Sequence, residues 1–149
     1  MLKYPNNLLK IEFINRDGEL PQMPKRKRKG DAAFDLYAPK DITIKNGEVN
    51  KIPLGIKIQT PEGYYAETRE RSGHAIKYGL ITIGNVIDQN YRGEIHAIII
   101  SLFVDPIEFK QGDRIAQLLV LPYFTANPME AEVDDTERGE DGLGSTGNK

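Results

Sequence analysis

Glycine and proline interrupt this chain at Pro53, Pro61, Gly63, Gly79, Gly93, Pro106, Gly112 and Pro122, leaving no segment long enough for a repeating strand–helix–strand unit. Between the interruptions the apolar residues recur with a period of two. Leu9, Ile11 and Phe13 alternate with Lys10, Glu12 and Ile14; Ile42 and Ile44 alternate with Thr43 and Lys45 ahead of Asn46-Gly47, a dipeptide that favours a tight hairpin turn. Beyond that turn Ile52, Leu54, Ile56 and Ile58 share one parity, which predicts a strand with one buried face. The run from Ile95 to Val104 lacks alternation, so both of its faces are expected to meet protein, the second one a candidate contact with another subunit. One short helix is predicted, with Ser72 capping it, His74 to Tyr78 forming it and Gly79 ending it. The expected fold is all-β, a jelly-roll-like antiparallel barrel with one short helix.

The 149 residues, with a net charge of -2, suit one compact domain. With no cysteine, disulfide frameworks, thiolate zinc sites and thiol nucleophiles are excluded. Met1 to Lys10 alternates charged, polar and apolar residues and does not read as a signal peptide, and no stretch reaches bilayer-spanning length. The expected compartment is intracellular, cytoplasmic by default. Lys25 to Lys29 (KRKRK) could serve as a nuclear address or a nucleic-acid contact, but a solvated loop is the plainer reading, and the overall acidity argues against broad nucleic-acid binding.

From Tyr123 onward apolar residues thin out, acids cluster from Asp134 to Asp141, and Gly139, Gly142, Gly144 and Gly147 follow. Such a segment cannot hold itself folded, so the chain divides into a β-barrel core over 1–122 and a flexible C-terminal arm over 123–149. Arg138 with Gly-x-Gly-Ser-Thr-Gly supplies a guanidinium, two hydroxyls and unhindered N–H groups, which suit a phosphate. It is not a Walker loop, since Asn148 and Lys149 stand where Lys and Ser/Thr are required. Ser72, Ser101 and Ser145 are the only serines, none in a G-x-S-x-G setting, and two histidines without HExxH make no imidazole metal cluster.

Polar residues beside turns stand out in an otherwise β-rich chain: Asp35 in DAAFDLYAP, Arg71 and Ser72 in RERSGHA, Asp88 and Tyr91 in GNVIDQNYRGEI, and Gln117 in GDRIAQLLV. Taken singly, each fits an ordinary turn, ion-pair or strand role. Their order is more informative: DAAFDLYAP, ERSGHA, GNVIDQNYRGEI, GDRIAQL and RGEDGLGSTG resemble, in sequence, the five motifs of the homotrimeric dUTP pyrophosphatases (dUTPases), over about Asp31 to Gly147.

The resemblance implies a jelly-roll subunit, three subunits sharing active sites, and Mg2+-dependent hydrolysis of dUTP to dUMP and pyrophosphate. It assigns Asp88 as the carboxylate that activates water, and Asp35 as the carboxylate that supports Mg2+ through a coordinated water. Arg71, Ser72, Gly73 and Gln117 become phosphate contacts. Arg138, Leu143, Gly144, Ser145 and Thr146 become the closing arm, with Leu143 where the family usually carries an aromatic. Asn85, Val86, Ile87 and His96 read uracil mainly through their main chain, and Tyr91 packs on the deoxyribose. Asn85 replaces a common glycine, and Glu70 and His74 replace a usual proline and leucine. A dCTP deaminase shares the fold, but Ile98 stands where that enzyme needs a glutamate. The remaining alternative is a nucleotide- or nucleic-acid-binding regulator without turnover.

Overall fold

The computed structural model describes residues 7–103, 105–140 and 142. In chain order the elements are β1 (Lys10–Phe13), β2 (Phe34–Tyr37), β3 (Ile42–Ile44), β4 (Asn50–Pro53), β5 (Ile56–Gln59) and β6 (Tyr64–Arg69), then helix α1 (Ser72–Tyr78). There follow β7 (Leu80–Thr82), β8 (Val86–Ile87), β9 (His96–Ser101), β10 (Ile107–Phe109) and β11 (Arg114–Pro122). Every pairing is antiparallel: β1 with β5, β10 with β3, a four-stranded sheet β2-β11-β6-β8, and a three-stranded sheet β4-β9-β7. The all-β expectation holds. Leu36, Ile44, Ile56, Leu80, Ile95, Ile99, Ile115 and Leu118 fill the space between the sheets.

Ile52, Leu54, Ile56 and Ile58 are all buried, as their shared parity predicts, yet they belong to two strands. Gly55 divides them. Its left-handed backbone (φ +68) lets Leu54 N–H donate to the Ile95 carbonyl and Ile14 N–H to its own carbonyl, so that β4 pairs with β9 while β5 pairs with β1. Asn46-Gly47 is likewise a turn, with Gly47 at φ +70, but the strands it joins do not pair with each other. Asn50 closes it instead, accepting from Lys45 N–H (2.9 Å) and donating to the Lys45 carbonyl (2.7 Å), and the chain turns a corner between sheets. In β9, Ala97, Ile99 and Ser101 are buried while Ile98 and Ile100 are half-covered, so the apolar run does alternate within one chain. Leu102 and Phe103 beyond it are exposed.

Gly55→Ala should lose more stability than Gly47→Ala. Both strain a left-handed backbone, at about 1–2 kcal/mol, but a Cβ at position 55 would meet the Pro21 side chain at 2.8 Å, whereas nothing lies within 4 Å at position 47. Urea unfolding of the two variants measures the difference; equal losses would contradict it.

Candidate functional site

The row across the middle strands of the four-stranded sheet sets the first cluster, because Asp35 of β2 and Arg69 of β6 both lie opposite Gln117 of β11. Just past Arg69 the chain leaves the sheet, and Arg71 becomes the N-cap of α1 in an extended conformation (φ -82, ψ 136). Its carbonyl accepts from the N–H groups of His74 and Ala75, both at 2.9 Å. Ser72, expected as the cap, is instead the first helical residue, and no side chain caps α1. The Ser72 and Gly73 N–H groups therefore have no acceptor among the described residues.

Two guanidiniums converge on one carboxylate here. Arg71 Nε lies 3.3 Å from Asp35 Oδ1, and Arg114 Nη1 lies 3.4 Å from Asp35 Oδ2. The two guanidiniums and the two unsatisfied N–H groups together offer donors of the kind that bind phosphate, in a pocket that Glu108 and Asp113 also line. Gln117 Nε2 donates to the Glu70 carbonyl (3.0 Å) and pins the start of this loop to β11. His74 stands behind Arg71, its Nε2 3.3 Å from Arg71 Nη1. A guanidinium can only donate, so His74 Nε2 accepts and the imidazole is neutral with its proton on the buried Nδ1. Burial, and then the nearby Arg71 charge, hold its pKa below the ordinary imidazole value.

The second cluster lies at the sheet's other edge. β8 pairs with β6 through Ala66–Ile87 and Glu67–Val86, while β9 belongs to the other sheet. The hairpin therefore splays, opening a cleft of about 140 Å³ lined by Val86, Ile87, Asp88, Tyr91, His96 and Ile98, among others. That volume matches about five waters of liquid, enough for one small flat ring. The outer edge of β8 has no strand partner among the described residues, so its main-chain groups are available to such a ring. Tyr91 stands at the mouth, its hydroxyl donating to the Glu94 carbonyl (3.1 Å). Gly93 is required beneath it, because a Cβ there would meet the Tyr91 hydroxyl at 2.2 Å. His96 Nδ1 lies 3.0 Å from the same Glu94 carbonyl.

Asp88 is exposed on the ridge between this cleft and an open groove of about 790 Å³ lined by Tyr65, Gln89 and Tyr123, among others. Asn85 lies outside the cleft lining: its carbonyl accepts from Thr68 N–H (3.1 Å) and its Nδ2 donates to the Thr82 carbonyl (3.3 Å). Gly84 takes the left-handed conformation (φ +60) next to it. Arg138 is exposed in a turn of the C-terminal segment; Leu143, Gly144, Ser145 and Thr146 lie outside the described residues.

Arg71 and Gln117 thus gather around Asp35 and the start of α1, while Asp88, Val86, Ile87, Tyr91 and His96 gather at the cleft. Asp88 does not join Asp35 within one chain. Four residues of strand rise and three strand spacings separate them, roughly 20 Å.

Three contributors escaped sequence reasoning. Arg114 lies in the fourth motif, yet only the register irregularity between Arg114 and Ala116 shows that it faces Asp35. Glu94 accepts from Gly55 N–H and, with both oxygens, from Arg16, which braces the hairpin against the chain's beginning. Gln89 Oε1 accepts from Gly63 N–H (2.9 Å) and the Tyr123 hydroxyl (2.7 Å), holding the turn after Asp88. Neither Glu94 nor Gln89 carries a local signal, because their partners are distant in sequence.

The family model described as dUTPase matches residues 21–147. The deoxyuridine 5'-triphosphate nucleotidohydrolase of Clostridium novyi (strain NT) is 39% identical over 138 residues, covering 91% of this chain and 97% of the relative. That of Caldanaerobacter subterraneus subsp. tengcongensis is 40% identical over 145 residues, covering 94% and 97%. Among solved structures, the Staphylococcus bacteriophage 80alpha dUTPase with dUPNHPP aligns with a TM-score of 0.80 at 26% identity, over 95% of this chain and 99% of that one.

Gly73 has open space where a Cβ would stand. Gly73→Ala should therefore fold at least as stably as the parent, alanine being the better helix residue by about 1 kcal/mol, while inorganic phosphate or nucleotide binds less tightly in titration calorimetry; unchanged binding would contradict a ligand at this position. His74 generates a pH expectation. The unfolded chain takes up its proton first, so stability is complete above about pH 6.5 and falls as pH drops toward the lower folded-state value. Replacing it, as His74→Leu, should flatten the decline in thermal midpoint below pH 6.5, and an equally steep decline in the variant would refute the assignment.

Proposed function

The chain belongs to the dUTPase family and hydrolyses dUTP to dUMP, and we propose that it does so at sites completed by a second and third copy of itself. The observation that carries this reading is the separation of its two clusters on one sheet. A cleft sized for a flat ring has Asp88 at its lip, and a cluster of guanidinium and N–H donors suited to phosphate lies roughly 20 Å away. One nucleotide cannot use both in the same copy, but it can bridge the cleft of one copy and the donor cluster of the next. A closed ring of identical copies forms such a joint at every interface, and a homotrimer is the form proposed. The sheet face between the clusters supports the reading: Val86 is 62% exposed, with half-buried Leu119 and Leu121 nearby, apolar surface that a neighbour would cover.

In the proposed mechanism uracil enters the cleft beside β8 and is read by main-chain groups of Val86 and Ile87 and by His96 beyond them, with Asn85 fixing the turn. Cytosine reverses the donor and acceptor pattern at its C4 substituent and leaves main-chain groups unpaired, a mismatch that discriminates strongly. The Tyr91 ring, held by Gly93 and the Glu94 carbonyl, packs on the sugar where a 2′-hydroxyl would stand. Asp88 accepts a proton from a water aimed at the α-phosphorus; the new bond forms from that water's oxygen while pyrophosphate departs. Arg71, Ser72, Gly73 and Gln117 hold the phosphates, and Asp35 holds Arg71 and Arg114 in position. The arm brings Arg138, Gly144, Ser145 and Thr146 over the outer phosphates and Leu143 toward the uracil.

Mg2+ fits this site only as a passenger of the triphosphate. Among the described residues no three acidic or imidazole side chains converge on a point, and both Asp35 oxygens face guanidiniums. Asp35 would reach the ion through one of its waters, and the ion when bound neutralises charge on the phosphates.

Ile98 lines the cleft and cannot carry protons, so deamination is disfavoured. No helix among the described residues is long and apolar enough to cross a membrane, and we place the enzyme in an intracellular aqueous compartment with its nucleotide substrate. The test is pyrophosphate release from dUTP, dCTP, dTTP and UTP side by side, with dUTP alone processed efficiently. Asp88→Asn should lower kcat about 10²- to 10⁴-fold with little change in fold; full activity in that variant would rule out Asp88 as the base.

A further inference from the structure

Residue 70 is where the chain leaves the four-stranded sheet, between Arg69, still opposite Gln117, and Arg71, the N-cap of α1. The ladder that fixes β6 ends here, so the path of the next residues depends on whatever else holds the backbone. Where dUTPases usually carry a proline, whose ring fixes φ at about −65°, this chain has Glu70.

Glu70 is fastened at two points, one to each of the two larger sheets. Its carbonyl accepts from Gln117 Nε2 on β11 (3.0 Å). Its Oε2 accepts from both the Thr82 hydroxyl (2.8 Å) and the Thr82 N–H (3.2 Å) on β7. Thr82 is a firm anchor: it is buried, lies opposite Ile99 of β9, and its carbonyl accepts from Asn85 Nδ2 (3.3 Å). Among the described residues no cation pairs with Glu70, so its carboxylate is committed to Thr82. Burial opposes the charge, but the Thr82 hydroxyl and N–H outweigh it and hold the carboxyl below the usual carboxylate range. An ionised acceptor makes the stronger hydrogen bonds.

The groups that follow depend on this exit. The Arg71 guanidinium reaches Asp35 from it, and the Ser72 and Gly73 N–H groups begin α1 directly after it. Since α1 contains no fully buried residue, packing alone does not fix where its first turn lies. We infer that Glu70, acting through Thr82, is a positioning residue for dUTP hydrolysis, setting the place of Arg71 and of the Ser72 and Gly73 N–H groups. The effect on substrate rests on the proposed phosphate role of these groups; the placement of Arg71 does not, and is measured without substrate.

The test compares Glu70→Ala, Glu70→Gln and Thr82→Val with the native chain. Glu70→Ala should raise KM for dUTP about tenfold, with kcat changing less. Glu70→Gln keeps an oxygen for both Thr82 donors and should retain the native KM. Thr82→Val loses the hydroxyl but keeps the N–H, so its rise in KM should be smaller, and combining it with Glu70→Ala should add nothing, because both act on one bracket. The Arg71 Nε–H resonance, assigned by its loss in Arg71→Ala, should move toward that of free arginine in Glu70→Ala and stay in place in Glu70→Gln. A Glu70→Ala protein that unfolds at a lower temperature yet keeps the native KM and the native Arg71 resonance would overturn the proposal. So would effects of Glu70→Ala and Thr82→Val that simply add. Arg71→Ala with the native KM would instead contradict the phosphate reading, and a displaced Arg71 resonance in Glu70→Ala would leave the positioning role standing.

Discussion

β11 is hydrogen-bonded along both edges, to β2 and to β6, and this double pairing fixes where the polar groups can stand. A strand bonded on both sides cannot slip by one residue without turning its buried side chains outward, and Ile115, Ala116 and Leu118 are almost wholly excluded from solvent. Gln117 is therefore held between Asp35 and Arg69, and the Asp88 turn is held several residues away along β6. The distance between the two clusters is a property of the ladder, not of side-chain rotamers. No local motion closes it.

The hairpin that bears Asp88 is braced from outside the sheet. Arg16 grips both Glu94 and Glu19, and Lys40 also pairs with Glu19, whose side chain is only 5% exposed. The Arg16 charge, helped by the Gly55 N–H, holds the Glu94 carboxyl below the usual carboxylate range despite partial burial. For Glu19 it is chiefly Lys40 that does so. Both groups stabilise the fold above the ordinary carboxylate pKa and lose that contribution as pH falls through their lower folded-state values. Because Glu94 also presents its carbonyl to Tyr91 and His96, the same brace orients the mouth of the cleft.

Period and punctuation in the sequence were enough to reveal the all-β class, the buried parity of Ile52, Leu54, Ile56 and Ile58, and a short helix ending at Gly79, whose left-handed conformation closes it. Pairing was less legible. Asn46-Gly47 looked like a hairpin because turn chemistry is local, whereas the choice of β10 and β9 as partners depends on residues 43 to 67 positions away. Ser72 lost the cap because the backbone is still extended at Arg71, one residue earlier. The Ile95–Val104 run read as apolar on both faces because Ile98 and Ile100 are half-covered inside a single copy. In the candidate site, Asp35, Arg71 and Gln117 were visible through motif order, and so was Asp88. Arg114, Glu94 and Gln89 were not, since each acquires its role from a partner that only the folded chain brings near.

The claim on which the functional reading turns is that Asp88 and Arg71 act on one nucleotide from different copies. Subunit complementation tests it most directly: Asp88→Asn and Arg71→Ala proteins, each inactive alone, are unfolded, mixed in equal amounts and refolded. Random assortment gives one intact pairing in four, so pyrophosphate release should recover to about a quarter of the native rate. A mixture as inert as its two components would contradict it.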